Sequence, residues 1–356
     1  MTAPLPIAVI GCGLIGLRHA QVAIASDDVE LTAVVEPNAD LRVVLNAQGL
    51  PVVPSLEEVP ARTRAAIVAT PTPDHAGAAI EALACRWAIL VEKPISGTLE
   101  DADRMILAAG RAGLPLVTGH HRRCHSFVQA TREQLARIGD PVAVQGMWSL
   151  RKDDAYFRPD WRRAPGSGPL MTNLSHELDL LRLFFGDITE VSALSSNTLR
   201  GHPIEDTSTV SIRFASGVLG SFLMSDAGAS PWSFEAASDE NPHIAFSGED
   251  YIRISGTRGA IGFPSLTLWL GALGQEVNWH NPLVKQIGPK HESADPIATQ
   301  MDLFAGLVSG RETGILATGE DGRAALEATL AAVLSAQTRQ PIRMGDVPKE
   351  FSGLTA

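Results

Sequence analysis

The sequence predicts an α/β domain with a doubly wound parallel sheet, followed by an α+β domain with an open, mostly antiparallel sheet. The chain has 356 residues, which is more than twice a typical domain of about 150 residues. Its first third alternates continuous apolar strands with helices, whereas residues 191–279 read as short strands with little helix between them. We assign residues 1–122 to the first domain and 123–356 to the second, with the last helices able to pack back on the first.

The first domain is predicted from strands that are apolar along their whole length. Such strands are buried on both faces of a parallel sheet, and the intervening helices cover those faces. The predicted strands are 6–10, 31–35, 52–53, 65–69, 87–91 and 114–118, and the predicted helices are 14–25, 38–48, 75–84 and 99–112.

The second domain is predicted from a change of pattern after Gly119. The turn Ala215-Ser216-Gly217 joins two strands as a hairpin, and consecutive strands without crossover helices indicate an antiparallel sheet. The predicted helices are 127–138, 174–185, 294–308 and 320–337, and the predicted strands are 142–150, 207–214, 218–225, 251–255 and 266–270.

The composition excludes several classes of partner and location. A net charge of −11, from 29 basic and 40 acidic residues, argues against nucleic acid and against an anionic membrane surface. No apolar run reaches the roughly 18 residues of a membrane span, and residues 1–6 show no signal peptide. The three cysteines, Cys12, Cys85 and Cys124, give no paired framework. We expect a cytoplasmic protein.

The loop Gly11-Cys12-Gly13-Leu14-Ile15-Gly16 follows a predicted strand and opens a predicted helix. In such a loop the first glycine allows a tight turn, the second lets a pyrophosphate approach the backbone, and the third lets helix and strand pack closely. The helix N-terminus then faces the phosphates. The sequence therefore predicts a dinucleotide-binding Rossmann domain in which Gly11, Gly13, Leu14, Ile15 and Gly16 bind the cofactor.

Glu36 ends the next strand, 20 residues after Gly16. A carboxylate at this position accepts hydrogen bonds from the ribose hydroxyls of NAD and repels the 2′-phosphate of NADP. We therefore expect NAD as cofactor. Arg42 follows about one helical turn later, so NADP remains open as an alternative.

Glu92-Lys93-Pro94 ends the fifth predicted strand, and the carboxyl ends of strands in this fold line the cofactor crevice. Lys93 is one of five lysines in a chain that has 24 arginines. A lysine at this place is a candidate acid–base group, and the alternative is a solvated loop lysine. Pro94 is expected to hold the loop rigid, with a cis peptide bond as one way of doing so.

Several motifs together resemble those of the glucose–fructose oxidoreductase, inositol dehydrogenase and rhizopine-catabolism (Gfo/Idh/MocA) family. They are Gly11–Gly16, Ala69-Thr70-Pro71 with His75, Glu92-Lys93-Pro94, Trp161-Arg162 and residues 166–179. The resemblance spans essentially the whole chain. It implies a Rossmann domain joined to an open antiparallel sheet, and oxidation or reduction of a hydroxyl or carbonyl on sugars, cyclitols and related diols.

The resemblance also implies roles for individual residues. Lys93 and His176 match the catalytic lysine and histidine. Family members usually have Asp four residues before that histidine, where this sequence has Thr172 with Asn173 beside it. Lys93 and His176 would then do the acid–base work, with Thr172 or Asn173 forming hydrogen bonds to substrate. The positions that match the cofactor surroundings are Thr70, Pro71, His75, Glu92, Lys93, Trp161 and Arg162.

The residues around His176 agree with this role. His176 and Asp179 are three apart, on one face of a predicted helix, so the carboxylate could fix the tautomer of the imidazole. The alternative is a helix-capping or interdomain histidine. We interpret Asp179 as supporting His176 and not as catalytic.

Two further basic segments are candidate substrate contacts. Residues 120–125 hold three histidines and a cysteine, but their spacing fits no standard zinc pattern, so we predict no metal site. We interpret His121 and Arg123 as substrate contacts, with a purely domain-linking role as the alternative. Arg151, Lys152, Tyr156 and Arg158 precede the helix of His176. That loop either binds an anionic or polyhydroxylated substrate, through Tyr156 among others, or caps the cleft.

The leading hypothesis is an NAD-dependent dehydrogenase acting on CH–OH groups of a sugar, cyclitol or related polyol. One alternative is an NADPH-dependent reductase of a ketosugar or dicarbonyl, against which Glu36 argues. The other is a non-enzymatic, dinucleotide-sensing regulator of the same fold, against which the pair Lys93 and His176 argues.

The second-domain sheet is also predicted to hold an oligomer together. Val210, Ile212 and Phe214 alternate with polar residues along one strand, as on a sheet with one apolar face. We expect this face to pair with a second copy of the chain, giving a homodimer or homotetramer through the C-terminal sheet.

Overall fold

The computed structural model describes residues 3–289, 294–311 and 314–354. The chain divides into two compact units. One comprises Met1–His125 with Ala294–Leu326, and the other comprises Ser126–Ser293 with Glu327–Ala356.

The strands and helices are numbered in chain order. The strands are β1 (Leu5–Ile10), β2 (Val29–Val35), β3 (Val52–Val53), β4 (Ala65–Val68), β5 (Ala88–Val91), β6 (Leu116–Thr118), β7 (Pro141–Ser149), β8 (Ile188–Ser196), β9 (Thr207–Phe214), β10 (Leu219–Ser225), β11 (Ile252–Gly256), β12 (Gly259–Phe263), β13 (Thr267–Gly271), β14 (Leu283–Gln286), β15 (Ala317–Thr318) and β16 (Ile342–Arg343). The helices are α1 (Leu14–Ala25), α2 (Ala39–Ala47), α3 (His75–Ala84), α4 (Leu99–Ala112), α5 (Ser126–Leu135), α6 (Ser175–Phe185), α7 (Phe234–Ser238), α8 (Pro296–Val308) and α9 (Gly319–Thr338).

In the described part of the chain, the first unit forms a seven-stranded sheet in the order β15-β6-β5-β4-β1-β2-β3. The strands from β1 to β6 are parallel, which confirms the predicted doubly wound α/β domain. The strand order reverses between β1 and β4, and in this fold that is where ligands bind, at the carboxyl ends of the strands. β15 adds an antiparallel pair at the β6 edge.

The central strands of this sheet are buried along their whole length, as their continuous apolar sequence predicts. Ile7, Val9 and Ile67 are 0% exposed. Helix boundaries follow from local capping. Thr98 caps α4, since its Oγ1 accepts a hydrogen bond from the Asp101 amide at 3.2 Å, and the following Gly113 ends the helix in a left-handed conformation.

The second unit forms a nine-stranded sheet within the described residues, in the order β14-β13-β12-β11-β7-β10-β9-β8-β16. Most neighbours are antiparallel, which confirms the predicted α+β domain, and β9 and β10 form the predicted hairpin, with Gly217 at φ +90°. The exception is the pair of β7 and β10, which run parallel. Strands β8 and β12 are not among the strands predicted from the sequence.

The apolar face of this sheet is covered by the chain itself, contrary to the prediction. Val210, Ile212 and Phe214 are buried within the chain itself, and the Phe214 ring packs 5.4 Å from that of Phe185 in α6. They are therefore not an uncovered apolar face, and the prediction that this face awaits a second copy is wrong. Strand alternation turns the intervening β9 residues to the opposite face. There Thr209, Ser211 and Arg213 are exposed.

No helix in the described ranges has the length and apolar character that crossing a membrane requires.

Candidate active site

The loop between β1 and α1 has the geometry of a phosphate cradle. Gly11 has φ +86°, and a Cβ there would lie 2.8 Å from the Thr70 amide nitrogen. A Cβ on Gly16 would lie 2.1 Å from the Gly11 carbonyl oxygen, so helix and strand can approach only with glycine here. Beside Gly13, in contrast, a Cβ would meet nothing within 4 Å. That open space lies at the start of α1, where Leu14 is 92% exposed, and it leaves room for a pyrophosphate at the helix N-terminus.

Glu36, just past the end of β2, is fixed by backbone amides. Its Oε2 accepts a hydrogen bond from the Cys12 amide at 3.2 Å and its Oε1 accepts one from the Asn38 amide at 2.9 Å. Each carboxylate oxygen keeps a second lone pair with which to accept a ribose hydroxyl. Arg42 lies beside it, because its Nη1 donates to the Glu36 and Pro37 carbonyl oxygens at 3.0 and 2.6 Å.

Thr70 and His75 follow β4 at the same edge of the sheet. The Thr70 hydroxyl is buried and has no hydrogen-bond partner among the described residues, which is what a group awaiting a cofactor would show. The His75 ring joins two loops, since its Nε2 lies 2.9 Å from the Thr70 carbonyl oxygen and its Nδ1 lies 3.0 Å from that of Pro94. Burial lowers the pKa of His75, although these carbonyl oxygens act in the opposite direction. Pro71 opens the short helical turn between Thr70 and His75.

Glu92 is the centre of a buried hydrogen-bond cluster that sequence reasoning missed. Its Oε1 lies 2.8 Å from Nε2 of His19 in α1, and its Oε2 accepts a hydrogen bond from the Lys93 amide at 3.0 Å. Gly119 makes room for it, because a Cβ there would lie 3.0 Å from the carboxyl carbon. Glu92 therefore fixes the backbone of the residue predicted to be catalytic. The available signal was that His19 stands one helical turn after Gly16.

Opposing effects set the charge of this carboxylate. Burial raises the pKa of Glu92, but the His19 hydrogen bond and the positive charges of His19, His121 and Lys93 outweigh it and lower the pKa to about 2. Glu92 is therefore ionised at neutral pH. The half-buried Lys93 follows it, and the Lys93–Pro94 peptide bond is cis.

A π-helical turn, Leu170–Leu174, precedes α6 and carries Thr172 and Asn173. The Thr172 Oγ1 lies 3.0 Å from the Gly168 carbonyl oxygen and 2.8 Å from Oδ1 of Asn173. The Leu170 amide donates to Oε1 of Glu205 at 2.9 Å. A Cβ on Gly168 would lie 2.2 Å from the same carboxylate, so this glycine allows Glu205 to hold the turn. Burial raises the pKa of Glu205.

Helix α6 presents His176, Glu177 and Asp179 in its buried first turns, at 5%, 0% and 1% exposure. The Tyr251 hydroxyl donates to Oε2 of Glu177 at 2.9 Å. This hydrogen bond ties the helix to the segment leading into β11 and so fixes the backbone beside His176.

The residues predicted from the Trp-Arg motif form a cation–π cluster. The Arg162 guanidinium lies 4.1 Å from the centre of the Tyr156 ring and 5.0 Å from that of Trp161. Lys152 Nζ lies 4.6 Å from the Tyr156 centre. Arg162 Nη1 also donates to the Tyr156 carbonyl oxygen at 2.9 Å. Tyr156, Trp161 and Arg162 are therefore brought together within the second unit.

His121 and Arg123 lie in the helical turn after β6. Arg123 is buried, and its Nη1 lies 3.1 Å from Oδ2 of Asp321, so its charge is balanced inside the first unit. Across residues 3–289, 294–311 and 314–354, no group of three or more His, Cys, Asp or Glu side chains has the arrangement of a metal site.

Within the first unit, most of the predicted cofactor residues share one edge of the sheet. The glycine loop, Glu36, Thr70 and Lys93 follow the carboxyl ends of β1, β2, β4 and β5. The orphaned Thr70 hydroxyl, the open space beside Gly13 and the free lone pairs of Glu36 fit a dinucleotide bound along this edge.

Comparison with known proteins gives matches along most of the chain. Residues 5–120 match the family model described as oxidoreductase family, NAD-binding Rossmann fold, and residues 128–262 match the GFO/IDH/MocA C-terminal domain.

Individual proteins are similar over much of their length. A 1,5-anhydro-D-fructose reductase from Ensifer adhaerens is 29% identical over 78% of this chain and 78% of its own. A myo-inositol 2-dehydrogenase from Thermotoga maritima is 30% identical over 60% of this chain and 66% of its own. The structure of an oxidoreductase from Agrobacterium radiobacter in complex with NAD⁺, L-tartaric acid and magnesium has a TM-score of 0.78 at 19% identity, covering 96% of this chain and 99% of that chain.

Proposed function

Since this chain belongs to the Gfo/Idh/MocA family of NAD-binding oxidoreductases, we propose that it transfers a hydride between nicotinamide and a secondary alcohol or ketone of a sugar, cyclitol or related polyol. The observation that carries the proposal is the buried cluster that holds Lys93 beside the dinucleotide edge of the first unit. Relatives named as a myo-inositol 2-dehydrogenase and a 1,5-anhydro-D-fructose reductase support the substrate class.

In this proposal the first unit binds the cofactor. Gly11, Gly13, Leu14, Ile15 and Gly16 hold the pyrophosphate, and Glu36 accepts the adenosine ribose hydroxyls. Bound nicotinamide supplies the acceptor or donor of the hydride. The proposed domains are residues 1–122, which contain the glycine loop and Glu36, and residues 123–356. The other proposed cofactor contacts are Thr70, Pro71, His75, Glu92, Lys93, Trp161 and Arg162.

Lys93 and His176 move the proton. Oxidation of an alcohol releases a proton as well as a hydride, and a base must take it at the hydroxyl oxygen. Thr172 cannot serve as that base, so it positions the substrate by hydrogen bonding. The further substrate contacts in this proposal are His121, Arg123, Tyr156 and Asn173.

A cofactor-fluorescence screen tests the proposed function. The full chain with NAD is mixed with a panel of polyols, cyclitols and sugars at neutral and alkaline pH, and formation of NADH is followed. Oxidation of at least one member supports the proposal. A parallel assay with NADPH and a panel of ketosugars and dicarbonyls tests the alternative. Reduction in that assay, with no oxidation in the NAD assay, would instead support the reductase. Binding of NAD without turnover of any substrate would favour a dinucleotide-sensing regulator.

We expect the enzyme to bind NAD about 5- to 150-fold more tightly than NADP, which corresponds to about 1–3 kcal/mol. The buried carboxylate of Glu36 would face the 2′-phosphate of NADP. Dissociation constants measured for both cofactors check this. Glu36→Gln should lower the ratio of the Kd of NADP to the Kd of NAD. The exposed control Glu57→Gln should leave that ratio unchanged. Equal or tighter binding of NADP would contradict the expectation. It would indicate that Arg42 binds the 2′-phosphate, and it would favour the alternative of an NADPH-dependent reductase.

We also expect a homodimer or homotetramer, held through the open face of the C-terminal sheet. Leu194 and Leu219 are 66% and 50% exposed on that face. Light scattering at micromolar concentration should give two or four times the chain mass of 37.8 kDa, and Leu194→Glu should lower it. The matched control Leu107→Glu, on the exposed side of α4, should not. A mass of one chain would refute the assembly.

A cytoplasmic location is part of the same proposal. Cys12 and Cys85 are free thiols, which fits a reducing compartment.

A further inference from the structure

A cavity in the second unit concentrates positive charge. It encloses about 600 Å³, and its wall contains the ring of His202 and one carboxylate, that of Asp154. Four guanidinium groups also line the wall, together with the apolar side chains of Phe157 and Leu199. The guanidinium groups belong to Arg151, Arg158, Arg163 and Arg200, and we call this the arginine cavity. The excess of positive charge runs against the net charge of −11 of the chain, so it is a local feature of this surface.

Arg200 forms the rigid part of the wall. Its side chain is only 8% exposed, and its Nε lies 3.0 Å from Oδ1 of the buried Asp226. Its Nη2 donates to the Lys152 carbonyl oxygen at 2.7 Å, and its guanidinium stacks 4.3 Å from the centre of the Phe157 ring. The guanidinium plane is therefore fixed before any ligand binds, which lowers the entropic cost of binding.

The other guanidinium charges are weakly balanced. Arg151 Nη1 donates at 3.1 Å to a carbonyl oxygen, that of Ala227, which carries no charge. The exposed Arg158 forms no side-chain hydrogen bond or ion pair with the residues that the structure describes. The one carboxylate of the wall, Asp154, is 95% exposed and lies 3.7 Å from Arg200 Nη1. Ion pairs with an exposed carboxylate compensate the positive charge only weakly. The same holds for the ion pair of Arg163 with Asp160.

Both segments that line the cavity lead to the turn that carries Thr172. Residues 151–163 continue through Gly168 into that turn. The loop of Arg200 and His202 continues to Glu205, which accepts the Leu170 amide at its start. A ligand in the cavity thus touches the two segments that hold this turn in place.

We propose that the arginine cavity binds a hydroxylated organic anion with at least two negative charges, carried by carboxylate or phosphate groups. Planar guanidinium groups bind such oxyanions through paired, charge-assisted hydrogen bonds, and the cavity volume is in the range of small-molecule sites. A neutral sugar would leave the like-charged guanidiniums uncompensated. The inference rests on the proposed function in one respect, because it makes the substrate an acidic member of the sugar and polyol class.

Isothermal titration calorimetry of the full chain tests the site without requiring turnover. The probes are inorganic phosphate, D-glucarate, D-glucose 6-phosphate and neutral D-glucose, in a low-salt buffer free of phosphate. The variants are Arg151→Gln and Arg158→Gln. Arg200 is left intact, because its loss would strand the buried carboxylate of Asp226. The control is Arg132→Gln, on the surface of α5 in the same unit, and unfolding curves verify that each variant folds.

D-Glucarate or D-glucose 6-phosphate should bind the unchanged protein, with an affinity that falls as NaCl is added. Each of the two cavity variants should weaken that binding by about 10-fold or more, whereas Arg132→Gln should leave it nearly unchanged. D-Glucose should show no binding that depends on these arginines. Tighter binding of the dicarboxylate identifies carboxylate groups as the ligand, and tighter binding of the phosphate ester identifies phosphate. Binding of inorganic phosphate alone would contradict the proposal, because that ion has no hydroxylated carbon skeleton.

The inference would be overturned if no anion bound. It would also be overturned if both cavity variants bound the anions as tightly as the unchanged protein does. Oxidation of neutral polyols together with such a result would leave the proposed function standing. Arginine-dependent anion binding without oxidation or reduction of any substrate, acidic or neutral, would have the opposite meaning, since it supports the site and contradicts the proposed function.

Discussion

Replacing Lys93 by alanine is expected to lower kcat by about 10²–10⁴-fold while changing the Kd of NAD far less, because Lys93 is only one of many proposed cofactor contacts. The side chain removed is the proposed proton acceptor. The glycine loop and Glu36, which are assigned to cofactor binding, stay as they are. His176→Ala should have an effect of the same order for the same reason. Steady-state kinetics on the substrate found in the screen, with NAD binding measured separately, distinguishes loss of chemistry from loss of cofactor.

Three controls sharpen this expectation. Lys285→Ala removes an exposed lysine from β14 and should not change kcat. Thr172→Val should cost far less than either catalytic variant, because its hydroxyl only forms hydrogen bonds. Thr172→Asp restores the carboxylate usual in the family and should retain activity. Near-normal turnover of Lys93→Ala would contradict the mechanism and direct the search for the acid–base group to His120 or His121.

Glu92→Gln is expected to lower the free energy of unfolding at pH 7 by about 3 kcal/mol. The pKa of Glu92 is lowered from 4.5 to about 2 in the folded protein, and each pKa unit corresponds to about 1.4 kcal/mol. The group is 5% exposed, so solvent screens its partners little. A neutral amide keeps the shape of the side chain but loses the charge that His19 and Lys93 stabilise.

The stability difference between wild type and Glu92→Gln should depend on pH in a definite direction. A carboxylate with a lowered pKa in the folded state stabilises the protein fully above pH 4.5, its ordinary value, and this stabilisation is lost as the pH falls toward 2. The difference between wild type and Glu92→Gln should therefore be constant from pH 7 to about 5 and shrink below that. Denaturant unfolding at a series of pH values measures it, with the exposed Glu58→Gln as control. A difference that grows on acidification would contradict the assignment.

The first unit could be predicted closely because its signals are local. Continuous apolar strands allow only a sheet covered on both faces, and caps such as Thr98 and Gly113 mark helix ends within a residue or two. The helices Leu14–Ala25, His75–Ala84 and Leu99–Ala112 have the predicted bounds.

The rest depends on partners that are distant in sequence. Val210 and Phe214 show the alternation of a half-buried strand, but that pattern does not tell which face the chain's own helices will cover. The parallel pairing of β7 with β10 likewise joins strands that are separated by residues 150–218, so their register cannot be deduced from local sequence. His19 and Glu92 are 73 residues apart, and only the packing of α1 on the sheet brings their side chains together. Local sequence places His19 one helical turn after Gly16, but it does not identify Glu92 as the partner of His19.

The short strand β15 has a consequence for how the chain folds during synthesis. Ala317 and Thr318 pair with Thr118 and Val117, and the Thr118 hydroxyl donates to the Thr318 carbonyl oxygen at 3.2 Å. β6 is otherwise the edge of its sheet, with unpaired backbone groups that can join another chain. About 200 residues must leave the ribosome after β6 before its partner exists. A nascent chain therefore presents an open sheet edge through most of its translation, which is the kind of edge that favours aggregation until β15 pairs with it.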